Sequence, residues 1–506
     1  MGVLLWPEGK AIPRKYIPPE HTVEDLQLEA LADAMSFNHY FRLSVADLLK
    51  LWTDDPETIV WRQAVLKDLM QAPEFCSAIE ELLDNIDTWE TRSGRSARSG
   101  GEMGRGGPQP LDLYDFSFLE SYLQRLSEMD RMLGEMEIGS EGMRLLRQEI
   151  HASCDAGAFA RAREAFEKDC RGYTLPSKVT LGFNLSNDLK PVNLKLLRVP
   201  ERTEKQAKEA RGKRISLTPQ ALQSVSQVLS TAVAETGMAI SGFVRRESAP
   251  LRNLKQDFIF YLSAIHLMKS WDARGLKYCF PELRPAGEGA FRAAGMFNPM
   301  LVISGSEKII SNSVEFCEGG ELLVLTGANQ GGKTVFLLSC ALTQWLFQLG
   351  FPAPCESAAL SPAEQILTVF APNAALVARN RGLLSEEAGR IAEAANTLSE
   401  NCFVLFNEPL NATSPAENLD ISREVLAVFK AAGARGVWVT HLYELASDRE
   451  RLNTLLPWGS RLGSIRIVVE TDEKGTHSTY HVERGEPEFN SYASEVMRRK
   501  GLDLGL

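Results

Sequence analysis

The stretch that most restricts what this chain can fold into is ELLVLTGANQGGKTVFLLSCALTQWLF, residues 321 to 347. Leu322 to Thr326 is a short apolar run of strand type, Gly327 to Thr334 fits the spacing GxxxxGK[ST], and Val335 to Phe347 is an apolar helical run. Strand, glycine loop and helix in that order make a P-loop, because glycines let the backbone curl until successive N–H groups face phosphate oxygens. The helix N-terminus adds the positive end of its dipole. Lys333 is a point charge with the reach for β- and γ-phosphates, and Thr334 can offer its hydroxyl to Mg²⁺. The expected ligands are ATP and Mg²⁺. The expected nucleotide contacts are Gly327, Ala328, Asn329, Gln330, Gly331, Gly332, Lys333, Thr334 and Val335.

Two further strands end in polar residues. In NCFVLFNEP, Phe403 to Phe406 reads as a buried parallel strand, with Asn407 and Glu408 at its C-terminal end, where α/β sheets bind ligands. Glu408 is placed to orient or deprotonate water. Asn407 stands where an Asp would help to hold Mg²⁺; it keeps the oxygen and loses the charge, so a weaker metal grip and slow turnover are expected. In GVWVTHLYEL, Val437 to Val439 reads as a third strand ending in Thr440 and His441, and His441 can hydrogen-bond a γ-phosphate or the attacking water.

The chain before this region reads as mainly helical. Asp55 and Pro56 suit a cap and a first helical position, and Ile59, Arg62, Gln63 and Leu66 follow at helical spacing. Residues 91 to 110, TRSGRSARSGGEMGRGGPQP, read as a flexible linker or loop. Residues 111 to 172 are helical in pattern again. Within 178 to 199, KVTLGFN and VNLKLLRV alternate around a turn-rich centre and read as a β-hairpin inserted among helices. A long helix is expected from Pro219. The expected domains are a helical region over 1–90, the linker over 91–110, a helical part with the β insertion over 111–285, and an α/β nucleotide-binding domain over 286–506.

Composition narrows the classes. The net charge is −11, which speaks against an indiscriminate grip on nucleic acid, although it does not exclude a locally basic groove. The basic residues Lys205, Lys208, Arg211, Lys213 and Arg214 could meet phosphate or only solvent. The eight cysteines are spread along the chain without a CxxC pair, which argues against a zinc site and a disulfide framework. With no run of eighteen apolar residues and no secretory signal pattern, no membrane contact and a cytoplasmic location are expected.

Together the three stations resemble the MutS family of DNA mismatch-recognition ATPases. TGANQGGKT is similar to that family's TGPNMGGKS, and VTHLYEL to its A-T-H-Y-x-E-L. FVLFNEPLNATSPAEN is similar to its strand followed by D-E-x-G-R-G-T-S-T-x-D-G: Glu408, Thr413 and Ser414 match, whereas Asn407, Leu410, Asn411, Ala412, Pro415, Glu417 and Asn418 depart. Near the end, Gly485, Ser491, Tyr492, Val496 and Gly501 are in register. The resemblance implies an α/β P-loop ATPase domain with a mainly parallel sheet, of ABC/MutS-like type, preceded by a mainly α-helical core and lever domain with a small β-hairpin. It implies a homodimer that binds and slowly hydrolyses ATP to switch its grip on mismatched, branched or distorted double-stranded DNA. The alternative is an ATP-binding dimerisation or interaction module with little hydrolysis and no DNA binding.

The resemblance has gaps. A chain of 506 residues is too short for the family's N-terminal mismatch-reading and connector domains. It shows no Phe-x-Glu wedge near its start, and no helix-turn-helix or nuclease tail follows Leu506, so a reduced form is expected. The family segment G-x-S-T-F-x-x-E-M, which reaches a partner's nucleotide, reads RNRGLLSEEAG here. Gly382, Leu383 and Leu384 replace Ser, Thr and Phe, and Glu387 is kept. Ile309 stands at the place of the family's adenine-stacking Phe.

Overall fold

The computed structural model describes residues 4–7, 17–99, 113–155, 180–185, 191–198, 249–328, 331–371, 382–472 and 475–487. The chain forms two compact units, one made of residues 1–3 and 68–258, the other of 4–67 and 259–506. Residues 4–67, read from sequence with the helical part, thus fall in the unit that holds the six-stranded and four-stranded sheets.

That unit opens with α1 (Glu20–Asp25), α2 (Leu28–Met35), α3 (Arg42–Leu48) and most of α4 (Pro56–Met70). α4 starts where sequence placed it, with the Asp55 carboxylate accepting from the Thr58 N–H at 2.9 Å. Arg62 is buried on this helix. Its guanidinium donates to the carbonyls of Leu5 (3.1 Å) and Leu51 (2.7 Å) and stacks 4.4 Å from the Trp6 ring. An always-charged side chain is tolerated there because carbonyl oxygens and an aromatic face replace its water.

The other unit contains α5 (Pro73–Ser99), α6 (Leu113–Glu135) and α7 (Glu141–Asp155), with α5 packed on α6 and α6 on α7. Ile79, Leu82, Leu83, Ile86 and Trp89 are buried at helical spacing along α5. The loop expected over 91–110 is corrected in part: the helix continues to Ser99. Arg, Ala and Ser tolerate helix, and the single Gly94 costs only about 1 kcal/mol. β1 (Thr180–Leu185) and β2 (Pro191–Arg198) pair antiparallel, as the alternation predicted. The helix expected from Pro219, the basic residues between 205 and 214, and Ser491, Tyr492, Val496 and Gly501 lie outside the described residues.

The chain continues through α8 (Ala249–Asn253), α9 (Lys255–Asp272) and β3 (Glu282–Leu283) to β4 (Phe291–Met296), α10 (Pro299–Ile303) and β5 (Asn312–Glu315). The segments that matter most follow: β6 (Glu321–Thr326), α11 (Lys333–Leu349), β7 (Ser357–Leu360) and β8 (Gln365–Phe370). After α12 (Leu383–Asn396) come β9 (Cys402–Asn407), α13 (Pro415–Ala431), β10 (Arg435–Val439), α14 (Tyr443–Ser447), α15 (Arg449–Leu455), β11 (Arg461–Asp472) and β12 (Gly475–Arg484).

Six strands form one sheet in the order β12-β11-β6-β10-β9-β8, parallel except for the β12 edge. A second sheet has the order β3-β7-β4-β5. β6, β9 and β10 are continuous apolar runs because both faces are covered. Gly436 lets β10 approach β9: a Cβ there would lie 1.9 Å from the Val404 carbonyl oxygen. One core face gathers Phe406, Trp438 and Phe429, with Phe406 4.1 Å from Trp438 and 4.9 Å from Phe429 between ring centroids. α11 is buried all round except at Thr334 and Val335. Its buried amide nitrogens are answered: Gln348 donates to the carbonyls of Thr53 (3.0 Å) and Ala363 (2.8 Å), and Gln344 to that of Ser361 (3.0 Å).

The architecture is therefore mixed α/β sheets plus helices. Among the described residues no helix is long and apolar enough to cross a membrane.

Candidate functional site

Register brings the polar strand ends level. Val439 of β10 lies opposite Asn407 on one side and Leu325 on the other, so β6, β9 and β10 finish together. Thr440 extends the alignment by donating its N–H to the Leu325 carbonyl. The glycine loop rises from the same edge. Gly327 is glycine for contact reasons, since a Cβ would lie 2.9 Å from Ile467 on β11. Gly332, at φ 92°, is the N-cap of α11.

Five predicted side chains meet there. Lys333 is 4% exposed and its ammonium donates to the carbonyls of Gly327 (2.8 Å) and Ala328 (3.1 Å). It also lies 3.5 Å from the Glu408 carboxylate and 3.4 Å from His441 Nδ1. His441 Nε2 is 2.6 Å from the same Glu408 oxygen. Thr334 donates its hydroxyl to the Asn407 amide oxygen at 3.2 Å. Val335, exposed at the start of α11, accepts from the Asn298 amide through its carbonyl at 3.2 Å. Asn329 and Gln330 lie outside the described residues.

Electrostatics at this edge pull in two directions. Burial pushes the Lys333 ammonium below its usual range, and the nearby Glu408 only partly offsets it. Burial also pushes Glu408 up, but the His441 hydrogen bond and charge, with Lys333 behind them, outweigh it and hold the carboxyl below the ordinary range. Glu408 sits at φ 51°, a left-handed conformation that few non-glycine residues adopt, and its N–H bonds the Val439 carbonyl.

The loop after Glu408 holds residues that depart from the family pattern, and they support one another. Leu410 occupies φ 62° where that pattern has glycine, and its side chain is buried. Asn418 donates to the carbonyls of Pro409 (3.2 Å) and Leu410 (3.0 Å). Ser414 caps α13: its hydroxyl oxygen accepts from the Glu417 N–H at 3.4 Å and donates to the Glu417 carboxylate at 3.1 Å. Glu387 of α12, 3% exposed, accepts from the backbone N–H groups of Asn411 and Ala412, and burial raises its pKa. Leu383 and Leu384 are exposed at the start of α12.

Sequence reasoning missed the part of β12 that meets the loop. Three residues of β12, 479 to 481, face the single Val468 of β11, so this strand bulges. Tyr480, at φ 64° and 47% exposed, is turned onto the loop: a Cβ on Gly332 would lie 3.1 Å from its ring. Asn312, three residues beyond Ile309, holds the bulge by donating to the Tyr480 carbonyl (3.1 Å) and accepting from the Val482 N–H (2.8 Å). Ser478 donates to the Gly331 carbonyl at 3.3 Å. A strand 150 residues downstream carries no local sign that it covers the loop.

Two family models match this chain: MutS domain V over residues 323–503 and the MutS2 N-terminal domain over residues 54–274. The chain belongs to the MutS family. The match to MutS domain V contains the glycine loop from Gly327, Glu408 and His441. Similar MutS proteins include the DNA mismatch repair protein MutS of Chlorobium phaeobacteroides, 25% identical over 448 residues, which cover 87% of this chain and 45% of that protein. The endonuclease MutS2 of Shouchella clausii is 26% identical over 301 residues, 58% of this chain and 36% of its own length. The MutS of a Synechococcus species is 30% identical over 236 residues, 44% of this chain and 25% of its own length. The chain thus spans less than half the length of these MutS relatives.

Proposed function

We propose that this chain is a MutS-type ATPase that binds ATP through the loop from Gly327 to Val335, hydrolyses it slowly, and uses nucleotide occupancy to switch its grip on branched, mismatched or distorted duplex DNA. Residues 286–506 are the P-loop ATPase domain in this reading, and the helices before them the core and lever. The observation that carries it is the convergence of Lys333, Glu408 and His441, with the Thr334–Asn407 pair beside them, at one edge of a parallel sheet.

The chemistry follows from those groups. Phosphate oxygens compete with Glu408 and the loop carbonyls for the Lys333 ammonium. Freed from Lys333, Glu408 accepts a hydrogen bond from the attacking water, while His441 holds the carboxylate in place or reaches the γ-phosphate. Thr334 and Asn407 present two neutral oxygens 3.2 Å apart, which suits Mg²⁺ held mainly by phosphates and water. Among the described residues no group of three or more His, Cys, Asp or Glu could hold a metal by itself. When bound, Mg²⁺ supplies positive charge to the phosphate oxygens. Tyr480 offers a ring beside the loop on which the base can stack.

Duplex DNA, a homodimer and a cytoplasmic setting belong to this proposal through the MutS relatives, whose names include DNA mismatch repair protein and endonuclease. The net charge of −11 and the neutral Asn407 favour a second reading, a nucleotide-dependent interaction module without DNA contact.

ATP hydrolysis by the purified protein, with and without branched DNA and beside Glu408→Ala, separates the two. Turnover that DNA changes and Glu408→Ala removes supports the first reading. ATP binding without turnover, together with no DNA binding at low salt, overturns it in favour of the second.

A further inference from the structure

Seven cysteines lie among the described residues, and two of them meet. Cys279 Sγ is 3.6 Å from Cys355 Sγ. The backbone imposes this approach. Cys279 and Ala353 exchange both N–H···O bonds, at 3.2 and 2.8 Å, as an isolated antiparallel bridge. A tight turn, closed by the Cys355 N–H on the Ala353 carbonyl at 2.8 Å, then swings the second thiol back toward the first. Bonds from Phe297 N–H to the Pro354 carbonyl and from Glu356 N–H to the Ala294 carbonyl, both 2.9 Å, pin that turn.

The two thiols are unequal. Cys279 is partly exposed and Cys355 is fully buried. The hydrogen bond from the Cys355 thiol holds Cys279 below its ordinary range despite some burial, and the Ala358 backbone helps. Donating that hydrogen bond, together with burial, pushes Cys355 up. An accessible thiol 3.6 Å from a buried one is the arrangement of an attacking and a resolving cysteine.

We propose that Cys279 and Cys355 form a reversible thiol pair that closes to a disulfide on meeting a low-molecular-weight disulfide such as oxidised glutathione. The Cys279 thiolate attacks one sulfur of glutathione disulfide. The S–S bond of the oxidant breaks, one glutathione leaves as thiolate, and a mixed disulfide remains on Cys279. Cys355 gives its proton to water and attacks Cys279 Sγ, which expels the second glutathione thiolate. Two protein thiols are oxidised to one disulfide, and one glutathione disulfide is reduced to two thiols.

Closing requires the sulfurs to move from 3.6 Å to about 2.05 Å. The new bond would tie the lead-in to β3 to the lead-in to β7. It would enclose residues 280–354, including the loop from Gly327 and all of α11, without touching a nucleotide-site side chain. A cross-link over so long a loop acts mainly by restricting the unfolded chain.

The test is oxidation of the full chain with glutathione disulfide, followed by alkylation, digestion, peptide mass spectrometry and a thermal melt. The expected result is one linked Cys279–Cys355 peptide, a melting temperature raised by roughly 5 °C, and reversal of both by dithiothreitol. In Cys355→Ser, glutathione should stay trapped on Cys279; in Cys279→Ser, position 355 should take up none. Stable glutathione on wild-type Cys279 without a linked peptide would overturn the proposal. So would linkages scattered among other cysteines, or both thiols remaining alkylatable after oxidation. The linked peptide and the melt need only the wild-type chain, so a poorly folding variant does not blunt the test.

Discussion

The two ends of β6 carry charge in different ways. At its N-terminal end Glu321 is 1% exposed, and Arg484 of β12 answers it with both guanidinium nitrogens, one at 3.0 Å. The Cys317 N–H adds a third bond at 3.0 Å, and Gly463 opposite leaves room for the carboxylate, which a Cβ would approach to 2.1 Å. At the C-terminal end Lys333 is almost as buried, yet its contacts with Glu408 and His441 are 3.4–3.5 Å and its close partners are carbonyls of its own loop. One end is a finished ion pair that fixes strands. The other holds a desolvated ammonium in long contacts beside left-handed backbone at Glu408, the condition of a site that gains by receiving a ligand.

Breaking the finished end should have the largest effect. Arg484→Ala leaves Glu321 buried with only backbone support, and urea unfolding should show a loss of about 3 kcal/mol, with ATP affinity per folded molecule unchanged. Lys333→Ala should do the reverse. Affinity for ATP measured by calorimetry should fall roughly 100-fold, about 2.7 kcal/mol, while the melting temperature holds or rises because a desolvated ammonium is gone. Tyr480→Ala should weaken ATP binding roughly tenfold and tripolyphosphate binding little, if its ring stacks on the base. Asn407→Asp, which restores an anionic oxygen, should raise Mg²⁺-dependent turnover about tenfold in a phosphate-release assay.

The smallest expected effect is a pH dependence. Glu408 titrates below its ordinary range when folded, so its stabilising contribution is complete above the unfolded carboxyl value of about 4.3 and is lost as pH falls through the lowered value. The stability gap between wild type and Glu408→Gln should therefore close as pH falls below about 4. A gap that does not change under acid conditions would mean that His441 and Lys333 do not hold the carboxylate as described.

Much of the site was legible because its parts sit on local patterns. The GxxxxGKT spacing fixed where strand gives way to helix, and apolar runs ending in Asn407–Glu408 and Thr440–His441 fixed two more strand ends. The hairpin at Thr180–Leu185 and Pro191–Arg198 was legible for the same reason, as period-two alternation. Other features were hidden by distance. The Tyr480 bulge depends on Asn312, 168 residues earlier, and the Cys279–Cys355 pair spans 76. Residues 91–99 misled because glycine and serine suggested a loop, while a helix already started by buried residues carries through them. Leu410 shows the limit most clearly. Its type argues against the φ of 62° that it adopts, and only the burial of its side chain and the Asn418 bonds on the loop's carbonyls account for it.

By itself, then, the sequence determined the residue types at the three strand ends and the order in which they arrive, because period and loop chemistry are local. Tertiary structure decided the rest. It set the register that brings those ends level, placed Lys333 against Glu408 and Glu408 against His441, turned Tyr480 onto the loop, and closed residues 4–67 onto the sheet through the Thr368–Thr22 hydrogen bond. Those are contacts between segments tens to hundreds of residues apart. Their partners are chosen by packing and by the need to satisfy buried polar groups, which no short window of sequence records.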